Sequence, residues 1–211
     1  MRIIDLTLPV GGPGETTPDH ETYFVPLSIR GRSYQGICHN FKWHSMTSTY
    51  IDFPGHIAEF DNGIDAGNMP IEKLFLVETT LVRLDPRDAE REITGVELER
   101  AAPPLRWNAL IIHARGNVPF YERPEQIPYY GPSAIEWITS REITLFISDV
   151  YEKQPDQQGI FVELFRRGIT CVCCMVNLHE IEEPYLRVCA LPLPVPGARQ
   201  LPCRLLAIEG M

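Results

Sequence analysis

Short apolar runs recur along the chain and are separated by polar and proline-rich stretches. Their length and their content of branched residues are typical of buried β-strands. The predicted strands are residues 2–8, 76–84, 109–115, 143–149, 169–176 and 204–210. Because only the first of them precedes residue 76, we expect the rest of the first half to be long in loops.

Between the later strands the pattern predicts helices. Two capping boxes, Thr94 with Glu97 and Ser133 with Glu136, predict helices that open at residues 95 and 134. Apolar residues at helical spacing between positions 160 and 165 predict a third helix that ends at Gly168. Alternating strands and helices predict an α/β fold, a single domain over residues 1–211 with buried strands.

Composition narrows the class of protein. Hydrophobic residues make up 44% of the chain and charged residues 22%, which predicts a packed core rather than disorder. The formal net charge of −9 argues against a nucleic-acid partner. No apolar run is long enough for a membrane span, and the first residues lack the pattern of a signal peptide, so a cytoplasmic protein is expected. The six cysteines form no paired CxxC motif, which indicates free thiols.

The densest cluster of polar residues lies in residues 41–63. In an extended chain Tyr50 and Asp52 share a face, and the turn predicted at Pro54–Gly55 would bring His56 back beside Asp52. A carboxylate beside an imidazole raises its basicity and suits acid–base catalysis. A solvated loop without chemistry is the alternative. His113, in contrast, lies within a predicted strand and is expected to be a hydrogen-bonded core residue.

A wider resemblance emerges from the segments around this cluster. The sequence DFPGH at residues 52–56, the turn at 61–63 and the segment IEKLFLVETTLVRLD at 71–85 resemble the cyclase family, which includes bacterial kynurenine formamidases. The likeness continues through GPSAIEWI at 131–138 and RLLAIEG at 204–210. The resemblance implies a small β/β/α domain with a mixed central sheet. It also implies a metal-dependent amide or lactone hydrolase or a related cyclase, assembled as a homodimer or homotetramer.

The active-site signature of that family, His-x-Gly-Thr-His-x-Asp-x-Pro-x-His, is only partly kept. Asp52 and His56 match its aspartate and its final histidine, whereas Met46 and Tyr50 stand where its first two histidines would be. Later in the chain, Phe161 occupies the position of a family histidine. On the strand that follows, Cys173 stands in place of a family glutamate. A methionine and a phenylalanine are poor ligands for zinc or manganese, so we expect no bound metal and no other cofactor.

The residues that remain define a predicted site for a small molecule. We expect His56 to act as general base or acid and Asp52 to orient it. Tyr50 is expected to be a proton donor or an oxyanion stabiliser, and Cys173 a nucleophile if His56 lowers its pKa. The expected substrate-binding residues are His44, Met46, Thr47, Ser48 and Phe161. Alternatively, Tyr50 and Met46 fill the space of the former metal, and Cys173 is a buried filler. A rebuilt metal site from Asp52, Cys173 and a histidine, with His44 on the same strand face as Met46, is a further possibility.

Three functions remain open. The first is metal-independent acid–base chemistry on a small metabolite, such as cyclisation, dehydration, isomerisation or lactone opening. The second is a metal-dependent amide or lactone hydrolase of the formamidase type with an altered site. The third is a non-catalytic homologue that binds a ligand or a partner protein, because a fold alone does not fix a function.

Overall fold

The longest run of hydrogen-bonded strands curls round on itself and closes into a barrel. The computed structural model describes residues 1–13, 19–85, 91–106, 108–118, 122, 128–150, 152 and 159–210. Its strands are β1 (Arg2–Asp5), β2 (Asp19–Ile29), β3 (Arg32–Lys42), β4 (Tyr50–Asp52), β5 (Val77–Arg83), β6 (Glu92–Ile93), β7 (Ala109–His113), β8 (Tyr129–Tyr130), β9 (Leu145–Ser148), β10 (Thr170–Cys173), β11 (Tyr185–Pro192) and β12 (Gln200–Glu209). The order β1-β12-β11-β5-β7-β9-β10-β4 closes because β4 also pairs with β12.

Helices cover one side of the barrel. They are α1 (Gly95–Ala101), α2 (Pro132–Thr139) and α3 (Ile160–Arg166), and single 3₁₀ turns lie at Pro54–His56, Ala58–Phe60, Ile71–Lys73 and Leu178–Glu180. Within the described ranges no helix combines the length and the apolar character needed to cross a membrane.

Two hydrophobic cores result from the alternation of side chains along the strands. Along β7, Leu110 and Ile112 face the helices and pack with Leu98 of α1 and Leu164 of α3. Ile111, between them, faces the barrel interior. Strands buried on both faces read as continuous apolar runs, which is why the sequence pattern predicted them. The α/β fold with a mixed sheet is confirmed, and the sheet is closed rather than open.

The helix predictions are confirmed in position but not in every cap. The backbone N–H of Glu97 donates to Thr94 Oγ1 over 3.3 Å, as a capping box requires. The second expected cap is wrong, because α2 begins after Gly131 with Pro132 in its first turn. Ser133 Oγ instead accepts a hydrogen bond from the backbone N–H of Gly95 over 3.1 Å, and so ties α2 to the start of α1.

The expectation of loops in the first half is wrong for residues 19–42. Strands β2 and β3 pair along their full length as an antiparallel ribbon, joined by a two-residue turn. Both turn residues, Arg30 and Gly31, have positive φ, the geometry that matches the twist of paired strands. Most of the ribbon is exposed on both faces. Its mixture of apolar and polar side chains therefore lacks the clean alternation by which half-buried strands are recognised.

Candidate active site

Strand β4, only three residues long, carries the centre of the predicted site. It lies between β10 and β12, with Asp52 opposite both Cys171 and Gln200. Tyr50 lies opposite Cys173. Since directly paired residues of antiparallel strands point to the same face, these side chains form one cluster on the helix-facing side of the barrel.

Asp52 is a buried carboxyl group with an incomplete set of partners. It is 3% exposed, and its Oδ1 atom has no hydrogen-bond partner among the residues that the structure describes. Burial raises the pKa of Asp52 to about 7, and a hydrogen bond from Gln200 opposes that rise. A carboxyl group in this state changes its charge near neutral pH, as the acids and bases of active sites do.

His56 lies on the 3₁₀ turn that follows β4 and is open to solvent. Its Nε2 atom is 3.4 Å from the side-chain nitrogen of Gln200, and its ring meets that of Phe165 edge-on with the centroids 6.1 Å apart. Partial burial lowers the pKa of His56. The predicted turn at Pro54–Gly55 is therefore present, but the expected direct pairing of His56 with Asp52 is replaced by a connection through Gln200.

Gln200 is the site residue that sequence reasoning missed. Its Oε1 atom accepts a hydrogen bond from Ser45 Oγ over 3.1 Å, while its amide nitrogen faces His56 and its side chain hydrogen bonds to Asp52. No local signal marks it, because its place depends on the pairing of β12 with β4, more than 140 positions earlier in the chain. The sequence pattern predicted the last strand only from Arg204 onward, so Gln200 lay outside it.

An ion-pair cluster holds the turn that carries His56. The Arg199 guanidinium bonds to Asp61 over 2.8 Å and to Asp65 over 3.0 Å. The bond from Arg199 holds the pKa of Asp61 below the usual range, whereas the pKa of Asp65 is lowered chiefly by the backbone N–H of Gly197. Gly55 gives this guanidinium its space, because a Cβ there would lie 2.6 Å from Arg199 Nε. The backbone N–H of Phe53 donates to the carbonyl oxygen of Arg199, which fixes the neighbouring Gln200 against β4.

Tyr50 and Cys173 form a buried pair. They are 7% and 2% exposed, and the pKa of each is raised well above its ordinary value, chiefly by burial. A hydrogen bond between the two groups raises the pKa of Tyr50 further and lowers that of Cys173, against the larger effect of burial on the thiol. The condition set for Cys173 as a nucleophile, a pKa lowered by His56, is not met, because burial and the Asp52 charge raise it.

The loop before β4 differs from the expected strand. His44 and Met46 were expected to share a strand face, but they lie in a turn in which Met46 N–H donates to His44 Nδ1 over 3.2 Å. Met46 is 44% exposed, so it does not fill a former metal cavity. Tyr50, in contrast, is part of the core next to the helices.

Three hydroxyl residues follow in this loop and are buried. The structure assigns Ser48 and Thr49 an anchoring role, since Ser48 Oγ donates to the Leu8 carbonyl and Thr49 Oγ1 accepts from Leu8 N–H over 2.9 Å. Ser48 has a φ of 63°, which marks a tight change of chain direction. Thr47 is 9% exposed. These contacts hold the first segment of the chain against the site rather than lining a pocket with Asp52.

Phe161 closes the inner side of the site. It lies in the first turn of α3, half-buried against the core. The cavity that it lines together with Cys173 and Ser148 has a volume of about 10 Å³. This is room for about one water molecule. The space beside Cys173 is therefore too small for a metabolite, whereas His56 lies at the exposed edge of the cluster.

Comparison with known proteins identifies the family of this chain. The family model described as "Putative cyclase" matches residues 4–153. The chain belongs to the cyclase family. No curated protein matches it in sequence.

Solved structures of cyclase-family type share its fold at low sequence identity. A "predicted metal-dependent hydrolase from Bacillus stearothermophilus" is 16% identical with a TM-score of 0.67, over 99% of this chain and 98% of that one. Isatin hydrolase A from Labrenzia aggregata is 20% identical with a TM-score of 0.67, over 98% and 93% of the two chains. A structure described as a novel cyclase has 16% identity and a TM-score of 0.72, over 99% and 88%.

The metal implied by the cyclase family does not fit the residues of this chain. Met46 is an exposed thioether, Phe161 offers no ligand atom, and Tyr50 and Cys173 are buried in the hydrophobic core. Across the described ranges no group of three or more His, Cys, Asp or Glu residues is arranged to hold a metal ion. Of the metal-binding and acid–base positions of the signature, Asp52 and His56 alone keep the family residue.

Proposed function

We propose that this cyclase-family protein is an enzyme that carries out metal-independent acid–base chemistry on a small metabolite. The observation that carries the proposal is the buried Asp52, whose pKa of about 7 and unpartnered Oδ1 atom coexist with a link through Gln200 to the exposed ring of His56. A non-catalytic fold has no need of such an arrangement, because an unpaired buried carboxyl group lowers stability.

The proposed roles follow from the geometry. Burial lowers the pKa of His56, so its imidazole is neutral at pH 7 and can accept a proton. The 3.4 Å distance to Gln200 is at the long limit of a hydrogen bond, so a substrate group can replace the amide at His56 Nε2. Ionised Asp52 then holds Gln200 and stabilises the imidazolium that forms, as the aspartate of a catalytic triad does. Tyr50, which is buried and hydrogen-bonded to Cys173, is a weaker candidate for proton donation.

The reaction classes that this site supports involve proton transfer without a metal-bound nucleophile. Cyclisation, dehydration, isomerisation and lactone opening of a small carbonyl compound all need a base that removes one proton and returns it elsewhere. The structural similarity to isatin hydrolases favours cyclic amides and lactones as the first substrates to test. A metal-dependent amide or lactone hydrolase is the second candidate, since structures titled as metal-dependent hydrolases share the fold.

The test is an activity screen with cyclic amides, lactones and hydroxy acids, on protein purified without a chelator or a histidine tag. We expect turnover that persists in EDTA and rises with pH through two steps, because both His56 and Asp52 must lose a proton. The lower step lies below pH 6.5 and the upper one near pH 7. His56→Ala is expected to lower kcat by about 10²- to 10⁴-fold.

One control variant and two contradicting results complete the test. Glu59→Gln removes an exposed carboxylate close to the site and should leave the rate unchanged. Loss of activity in EDTA together with one equivalent of zinc or manganese per chain would establish the hydrolase candidate instead. Full activity of His56→Ala would contradict the assigned role.

A homo-oligomer is the proposed state of the protein, either a dimer or a tetramer. An isolated two-stranded ribbon is marginally stable in water, and the ribbon of β2 and β3 carries Phe24 and Ile37, 60% and 63% exposed, opposite each other on one face. Tyr23 and Leu27 are exposed on the other face. Contact with a second copy would cover these side chains.

The six free cysteines support a reducing compartment such as the cytoplasm.

A further inference from the structure

A second polar centre lies on the opposite face of the barrel wall from Asp52. His113 is the last residue of β7, and Asp149 follows β9, the parallel strand next to it. Because side chains alternate along a strand, His113 and Asp149 are on the same side as Ile111 and Ile147, which face the barrel interior. The carboxyl ends of β7 and β9 therefore bring the pair together at the mouth of the barrel.

The hydrogen bonds of this pair determine which ring nitrogen carries the proton. Asp149 Oδ2 is 2.6 Å from His113 Nδ1 and accepts the backbone N–H of Arg115 over 3.2 Å. Asp149 Oδ1 accepts the backbone N–H of Ala114 over 2.9 Å. With both oxygens accepting from N–H groups, Nδ1 carries the ring proton in the neutral tautomer, and Nε2 then carries the lone pair.

That lone pair lacks a partner. His113 is 1% exposed, and its Nε2 atom has no hydrogen-bond partner in the part of the chain that the structure describes. The sequence prediction of a buried, hydrogen-bonded core histidine thus holds for Nδ1 only. A buried acceptor without a partner costs about 1–3 kcal/mol, so its presence calls for a specific reason.

His113 also lines a cavity, which offers such a reason. His113 and Asp149 line a cavity of about 110 Å³ together with apolar side chains, such as Met175 and Leu178, and polar ones, such as Asn177 and His179. This is smaller than the roughly 150 Å³ cavity that holds benzene in another protein. The space suits a molecule of a few non-hydrogen atoms.

We propose that His113 and Asp149 form a second binding site, which takes a small neutral molecule bearing an amide N–H or an alcohol O–H group. Its donor hydrogen bonds to His113 Nε2, and its carbon atoms lie against Met175 and Leu178. An anion is disfavoured because it would present no hydrogen to Nε2 and would approach the Asp149 carboxylate. Asp149 is a positioning residue that fixes the tautomer.

The experiment is ¹⁵N NMR of the histidine rings in the uniformly labelled full-length protein, with acetamide and 2-propanol as probes and sodium acetate as the matched anion. We expect His113 Nε2 to resonate as a lone-pair nitrogen and to shift saturably with acetamide and 2-propanol but not with acetate. Asp52→Asn should leave this response unchanged, which separates the site from the proposed active site. Leu178→Phe, which fills the cavity without touching the pair, should weaken the response at least tenfold.

Three results would overturn the proposal. They are a proton on Nε2 in place of Nδ1, the absence of any shift with either neutral probe, and an equal response to acetate. The comparison of probes on the wild-type protein is decisive by itself, so the test does not depend on the folding of any variant.

Discussion

Gln200 and His56 face each other across the open edge of the site, with their side-chain nitrogens 3.4 Å apart. Gln200 also bonds to Asp52 and thereby connects a buried group whose pKa is raised to one whose pKa is lowered. In the proposed mechanism both groups must be deprotonated, His56 to act as the base and Asp52 to hold Gln200 and stabilise the imidazolium. The amide between them sets how strongly the two groups interact.

Gln200→Leu is expected to separate these groups. The hydrogen bond from Gln200 lowers the pKa of Asp52, so its loss should move that pKa upward from about 7 and shift the upper step of the pH–rate profile to higher pH. We expect kcat to fall about tenfold at pH 7, less than in His56→Ala, because the base itself remains. Carboxyl ¹³C NMR across pH 5–9 measures the pKa directly, and an unchanged value in Gln200→Leu would contradict the contact.

Asp52→Asn is expected to stabilise the protein at alkaline pH. Folded Asp52 keeps its proton up to about pH 7, whereas in the unfolded chain it loses it near 3.8, so this group lowers the free energy of unfolding as pH rises between those values. The loss amounts to up to about 4 kcal/mol above pH 7. Asparagine cannot ionise, so the variant should unfold several degrees higher than wild type at pH 8.

The same comparison at low pH is the internal control. Near pH 4 wild-type Asp52 is protonated in the folded state and about half protonated in the unfolded chain, so most of the advantage of Asp52→Asn should disappear. Thermal unfolding followed by circular dichroism at pH 4, 6 and 8 is sufficient, with Glu59→Gln as the surface control. A variant less stable than wild type at all three pH values would show that the carboxylate is satisfied when charged.

Cys173 is expected to react slowly with thiol reagents. Its pKa is raised by burial and by the charge of Asp52, and the thiolate is the reactive species. Cys38 and Cys174, both partly exposed, should react first with a disulfide reagent, and Cys173 only on unfolding. Mass spectrometry of the modified peptides distinguishes them. Cys173→Ser should retain kcat within a few-fold, and a loss above 100-fold would restore the nucleophile hypothesis.

The ribbon of β2 and β3 is expected to hold subunits together. Ile37→Lys replaces the most exposed apolar side chain of the ribbon by a charge, whereas Gln35→Lys adds the same charge at an exposed polar position of the same strand. Light scattering with size-exclusion chromatography should show a smaller species for Ile37→Lys only. A wild-type monomer at micromolar concentration would contradict the proposed dimer or tetramer.

Local patterns predicted the elements that the barrel buries and failed for those that depend on distant chain segments. The apolar runs identified β7 and β9 because both faces of these strands are buried. The Thr94 cap was found because its partner lies three residues away. Ser133 has the same spacing to Glu136 but bonds to Gly95, a choice made by the packing of α2 on α1.

The candidate site divides in the same way. Asp52 and His56 were found from a short motif, whereas their connection through Gln200 arises from the pairing of β4 with β12. The exposed position of Met46 and the burial of Cys173 depend on how the chain turns before β4 and how β10 packs under α3. The sequence lists residues that can do chemistry, and the tertiary fold decides which of them can move a proton at neutral pH.

Strand β4 has a consequence for how the protein protects its acid. This strand closes the barrel by pairing with β10 and β12 over only three residues, and Asp52 is one of them. When β4 separates from its neighbours, water reaches the carboxyl group and the pKa of Asp52 returns to that of an ordinary aspartate. The same local opening of β4 therefore determines both whether the barrel is closed and whether water reaches the Asp52 carboxyl group.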